Sequence, residues 1–86
     1  MNQSKPKEIG IGLIGLGTIG SGVVKILKSQ GAKIAALTGV RLVLRRACDR
    51  RSLKQLTVRV PAKVLTSRAS DVVEDPSVEI LIELAG

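Results

Sequence analysis

With 86 residues, no Trp, Tyr, Phe or His and a single cysteine, the chain can form one small domain whose core must come from Ile, Leu, Val and Ala. One cysteine excludes an internal disulfide, and without His neither a structural zinc site nor a His-based catalytic triad can be assembled, so no metal is expected. The formal charge of +7 is uneven, because all 14 Lys and Arg lie between Lys5 and Arg68 and five of the seven acids follow them; lacking aromatics to stack bases, the basic stretch reads as solvated surface with no specific nucleic-acid partner.

Residues 1 to 8 are polar, contain Pro6 and read as a flexible lead-in. A first strand is expected over Glu8 to Ile14, where Ile9, Ile11, Leu13 and Ile14 make a largely β-branched apolar run. The run enters a turn in which Gly15, Gly17 and Gly20 stand at the G-x-G-x-x-G spacing. Such spacing has a mechanism. The first glycine allows the tight exit from the strand, the second removes a Cβ that would block a pyrophosphate, and the third lets the next helix approach the sheet. The N–H groups of that helix's first turn then face the anion. A signal peptide or membrane span is the competing reading of this uncharged stretch. Six glycines between residues 9 and 24 argue against it, since each costs a helix interior about 1 kcal/mol relative to Ala.

The helix is expected from about Thr18 to Gln30, with Val23, Val24, Ile26 and Leu27 on its buried stripe and Gly31 as its C-terminal cap; a further turn or two spans Ala32 to Thr38 and ends at Gly39. Val40 to Ala47 reads as the second strand, which delivers Cys48 and Asp49 to the carboxyl edge of the sheet. Open α/β sheets bind ligands at that edge, and an acid there accepts hydrogen bonds from the adenosine ribose. Asp49 lies 29 residues after Gly20, and no earlier acid competes for the role. It favours NAD. The guanidinium groups of Arg45, Arg46, Arg50 and Arg51 could instead bind a 2′-phosphate, which keeps NADP open.

Residues 52 to 62 show no clear period, and Pro61 argues against a central strand there. Lys63 to Leu65 is a candidate short strand, and Asp71 to Glu74 a short helix capped by Ser67 or Ser70 and ended by Asp75-Pro76. Val78 to Gly86 reads as a strand burying Ile80, Leu81, Ile82 and Leu84. The expected class is α/β, a Rossmann-like doubly wound parallel sheet. It is expected to be incomplete, residues 9–86 forming the first βαβ unit plus following strands and breaking off at the C-terminal end. The lone Cys48 fits a reducing, cytoplasmic setting.

The ordered residues resemble homoserine dehydrogenase. The resemblance rests on Gly-Leu-Gly-Thr-Ile-Gly-Ser-Gly-Val (15 to 23), the passage to Thr38-Gly39-Val40, the strand ending Ala-Cys-Asp (47 to 49), and Asp-Pro-Ser-Val-Glu-Ile-Leu-Ile-Glu-Leu-Ala-Gly (75 to 86). It implies an NAD- or NADP-dependent oxidoreductase that interconverts L-homoserine and L-aspartate 4-semialdehyde on the route to threonine and methionine, as a homo-oligomer when full length. It also implies that cofactor contacts come from Gly15, Gly17 and Gly20, the backbone at Thr18 and Ile19, the ribose edge at Asp49 and Arg50, and Ala85 and Gly86 near the nicotinamide ribose. The family's catalytic Lys and Asp belong to a later domain, so no catalytic residue is expected in these 86 residues and the chain alone should be inactive. Two rivals remain at this stage: another Rossmann dehydrogenase, and a non-catalytic module that senses NAD(H).

Overall fold

The computed structural model describes residues 5–84. Ala85 and Gly86, expected near the nicotinamide ribose, lie outside the described residues. Four strands, β1 (Lys7–Ile14), β2 (Val40–Cys48), β3 (Leu65–Thr66) and β4 (Ile80–Glu83), form one parallel sheet in the order β3-β2-β1-β4. Two helices connect them, α1 (Thr18–Thr38) and α2 (Ala69–Val73). The α/β Rossmann-like class read from the sequence is the observed one. Of the described residues, no helix is long and apolar enough to cross a membrane.

The helices lie on opposite faces because neighbouring residues of β1 point opposite ways. Ile11 lines a groove with Val23, Ile26 and Leu27 of α1, whereas a Cβ at Gly12 would meet Val72 of α2 at 2.6 Å. The core collects Ile11, Leu13, Leu16, Val24, Ala47, Val58, Val60 and Val64. Two of these, Val58 and Val60, come from the aperiodic stretch before Pro61. They are inserted by a loop holding one 3-10 turn, Leu53–Gln55, and this is why no period announces them.

Several boundaries differ from expectation. β1 starts at Lys7, inside the expected lead-in, where the Lys7 N–H donates to the Gly39 carbonyl at 2.8 Å. Gly31 does not cap a helix. The helix runs unbroken to Thr38, and Gly31 sits on its buried stripe with Gly20, Val24 and Ala35, spaced by four and seven residues. The true cap is Gly39, left-handed at φ 74°, whose N–H donates to the Ala35 carbonyl at 2.9 Å. Ile26 is exposed instead of buried, since at about 100° per residue it stands nearly opposite that stripe on the helix. β3 is Leu65–Thr66, and α2 begins after Arg68, so neither Ser67 nor Ser70 is its cap. β4 is the edge strand among the described residues. With nothing paired beyond it, Ile80 and Leu81 are exposed and Ile82 and Leu84 only half-buried.

A bulge between Ile11 and Gly12 lets the β1–β2 register skip Arg45. Arg45 pairs with Glu8 at 3.0 Å, and Arg46 donates from Nη1 to the Lys63 carbonyl at 2.9 Å with Asp71 and Asp75 at 3.8 and 3.9 Å. These arginines brace the flank of the sheet.

Candidate cofactor site

The glycine turn is built around its inner side. β1 ends at Ile14, and Gly15 reverses the chain at φ 103°, a conformation that side chains rarely adopt. Its N–H donates to the Cys48 carbonyl at 2.8 Å, tying the turn to the end of β2. Leu16 drops into the core, and the buried Ser21 hydroxyl donates to the Leu16 carbonyl at 2.9 Å. Gly20 is pressed against this floor, so a Cβ there would lie 2.1 Å from the Gly15 carbonyl oxygen.

The outer side is open. Gly17 is the N-terminal cap residue of α1, no side chain caps the helix, and its first turn carries no acid. Among the described residues, a Cβ at Gly17 would meet nothing within 4 Å beyond its own chain neighbours. Thr18 and Ile19 are exposed there, Ile19 to 68%. Helix geometry leaves the first-turn N–H groups without intrahelical acceptors, and the helix dipole adds partial positive charge.

This open side forms one wall of a cleft of about 620 Å³ at the carboxyl ends of the strands. Ile14, Gly15 and Gly17 line that wall; Cys48, Asp49, Arg50 and Arg51 line the facing one, with Ser67, Ala69 and Leu84 completing the rim. Asp49 is fixed by its neighbours. Its N–H donates to the Thr66 carbonyl of β3 at 3.0 Å. Its Oδ2 accepts from the Leu16 N–H at 2.8 Å and from Arg51 Nη2 at 3.0 Å, while Oδ1 accepts from the Arg51 N–H and Nε, each at 2.9 Å. The hydrogen bond from the Arg51 side chain, with those from the Arg51 and Leu16 amides, holds the carboxyl well below the usual carboxylate range. Burial, with Asp49 and Asp71 nearby, pushes the Cys48 thiol up, so it stays protonated at neutral pH.

Of the residues singled out in the sequence, Gly15, Gly17, Asp49 and Arg50 meet in this one cleft, and Thr18 and Ile19 form the exposed start of α1 beside it. Gly20 does not line the cleft and lies beneath the turn. Arg45 and Arg46, candidates for phosphate, do not line it either. Arg51 carries more of the geometry than its neighbour Arg50, and its place two residues after a carboxylate was the available signal. Ser67 and Ala69 had none. The parts suit a dinucleotide: uncapped helix amides for a pyrophosphate, bare backbone at Gly17 for close approach, and a polar wall at the end of β2 for a ribose.

Comparison with known proteins agrees with this geometry. Residues 15–86 match the family model described as homoserine dehydrogenase, NAD binding domain. Homoserine dehydrogenase of Bacillus subtilis is 39% identical over 80 residues, covering 93% of this chain and 18% of that protein. The Synechocystis enzyme is 40% identical over 77 residues, covering 88% and 17%. Among solved structures, a crystal structure of Staphylococcus aureus homoserine dehydrogenase superposes with a TM-score of 0.79 at 31% identity, over 90% of this chain and 20% of that one. That of Thiobacillus denitrificans gives 0.73 at 32% identity, over 93% and 18%. The chain thus spans about a fifth of the length of the relatives it matches.

Proposed function

The chain belongs to the homoserine dehydrogenase family, and on that premise we propose that its cleft seats NAD or NADP for the interconversion of L-homoserine and L-aspartate 4-semialdehyde. The observation that carries the reading is the two-sided glycine turn: Gly20 is closed off by the protein itself, while Gly17 faces open space beside uncapped helix amides. In this reading the backbone from Gly15 to Gly20, with the amides of Thr18 and Ile19, holds the pyrophosphate. Asp49 and Arg50 border the adenosine ribose, and Ala85 and Gly86 are carried over from the family resemblance as neighbours of the nicotinamide ribose. The nicotinamide supplies the hydride acceptor and donor. The residues of this chain bind and orient it.

The setting follows from the same likeness: amino-acid biosynthesis toward threonine and methionine, in the cytosol, by a homo-oligomer. Hydride transfer needs a substrate positioned against the nicotinamide, and we assign no residue of this chain to that task. Titration of the purified chain with each dinucleotide, followed by calorimetry, tests the binding reading, and failure to bind either removes it. Incubating the chain with homoserine and cofactor tests the second half. No reduced nicotinamide is expected, and its formation in a preparation free of host enzyme would place catalytic groups within these residues.

A further inference from the structure

The dinucleotide fingerprint gives the acid at the end of β2 to the ribose hydroxyls, yet Asp49 has nothing left to offer them. An ionised carboxylate has about four lone-pair positions. Here four hydrogen bonds occupy them, from the Leu16 amide, the Arg51 amide, Arg51 Nε and Arg51 Nη2. The Asp49 side chain is only 9% exposed, whereas that of Arg51 is 44% exposed. What the wall of the cleft presents is therefore the guanidinium, with Nη1 left over from its grip on the carboxylate.

We propose that Arg51, held in place by Asp49, selects the dinucleotide that carries a 2′-phosphate, so that this cleft prefers NADP. The inference rests on the cleft being the dinucleotide site and adds which of the two cofactors it takes. Three observations support it. The guanidinium is anchored through Nε, Nη2 and the residue's own amide, so a fork that would otherwise lose several rotatable bonds is already oriented. The negative charge that would repel a 2′-phosphate is neutralised within the ion pair, and no other acid lines the cleft among the described residues. Arg50 on the same wall adds a further positive charge. Arg50 is exposed, and none of its side-chain nitrogens has a partner among the described hydrogen bonds, so it strengthens the field without fixing a geometry.

The proposal separates cleanly from the fingerprint reading. If Asp49 were the ribose acceptor, Asp49→Asn would relieve repulsion and raise the preference for a 2′-phosphate. If Asp49 is the brace for Arg51, the same substitution loosens the guanidinium and lowers that preference. The test is calorimetric titration of the chain with ADP-ribose and with 2′-phospho-ADP-ribose at one ionic strength, with two-dimensional NMR spectra confirming that each variant stays folded. The unaltered chain is expected to bind the 2′-phosphate form about tenfold more tightly, the size of one charge-assisted hydrogen bond. Arg51→Ala should bring the ratio to one or below, because it removes the guanidinium and frees two lone-pair positions of Asp49 for the ribose of ADP-ribose; Asp49→Asn should lower it part of the way, and Arg50→Ala should lower it less than Arg51→Ala. Equal or tighter binding of ADP-ribose by the unaltered chain would overturn the inference and leave the dinucleotide site standing. So would a ratio that survives Arg51→Ala, one that rises in Asp49→Asn, or one that Arg50→Ala abolishes as completely. Failure to bind either ligand removes the dinucleotide site and the inference together.

Discussion

The inner and outer sides of the glycine turn carry glycines for opposite reasons. Gly20, on the inner side, has the Gly15 carbonyl oxygen 2.1 Å from where its Cβ would be, so the fold alone requires it. Gly17, three residues earlier on the outer side, has no other described residue within 4 Å of its Cβ position, its chain neighbours aside. Its backbone lies at φ −71° and ψ −156°, which other residues also adopt. Among the described residues nothing explains a glycine there. Three glycines at the fingerprint spacing are therefore two kinds of statement in one motif. The first and third show that a strand turns tightly into a close helix. Only the second speaks about what lies outside, and so the functional reading depends on Gly17 more than on the pattern as a whole.

The largest expected effect breaks the inner side. Gly20→Ala forces a methyl against backbone at a distance that no rotamer relieves, and strain of this kind costs about 3 kcal/mol or more. For a small domain without aromatics that is a large share of its stability. The chain should lose most of its cooperative thermal transition, and an unchanged melting temperature would show that the turn can open without cost. Gly17→Val should behave in the opposite way. Stability should fall by only about 1 kcal/mol, the cost of placing Val where the helix has a glycine N-cap. Dinucleotide affinity should fall on the order of a hundredfold, ~2.7 kcal/mol, because the added methyls occupy the approach to the backbone. Urea unfolding and calorimetry on the same preparation check both halves. If the two substitutions affect stability and binding alike, the contrast between inner and outer sides is lost.

How much of this the sequence carried depended on whether the information was local. The β1 run, the turn, the helix start at Thr18 and the ligand-side end of β2 were all legible, since each is set by residues within one or two turns of one another. Gly31 misled because a glycine after a polar Ser-Gln pair is a local stop signal. The long-range packing of Gly20, Val24, Gly31 and Ala35 along one stripe overrode it. Val58 and Val60 could not be read as core, since a loop places them without any period. The β4 side chains read as buried are partly exposed, because burial of a strand depends on what lies beside it and an apolar run does not say. At the site, Asp49 and Arg50 were legible by their position at a strand's end. The engagement of Asp49 by Leu16, 33 positions away in the chain, was not.

That bond defines the smallest of the expected effects, and it sharpens the comparison because Asp49 stands on the seam between the two sides. Its carboxylate holds the inner turn through the Leu16 amide and faces the cleft through Arg51. Asp49→Asn keeps the shape and removes the charge, so it should destabilise the fold by about 1 kcal/mol, less than a fully buried charged hydrogen bond because Arg51 is partly solvated. The sign of its pH dependence is fixed. The carboxyl's pKa is lowered in the folded chain, so the folded state binds fewer protons than the unfolded one in acid. The stabilisation is fully present above the unfolded value of about 3.9 and is lost as the pH falls from there through the folded value. Asp75, whose pKa is also lowered by hydrogen bonds from the Ser77 hydroxyl and amide, contributes in the same direction, so the variant keeps part of the acid limb. Unfolding measured at a series of pH values should show the original chain ahead of Asp49→Asn at neutrality and the two curves converging below about pH 4. Curves that stay parallel into acid would mean that the carboxylate's charge does not hold the turn, and that Leu16 is positioned by packing alone.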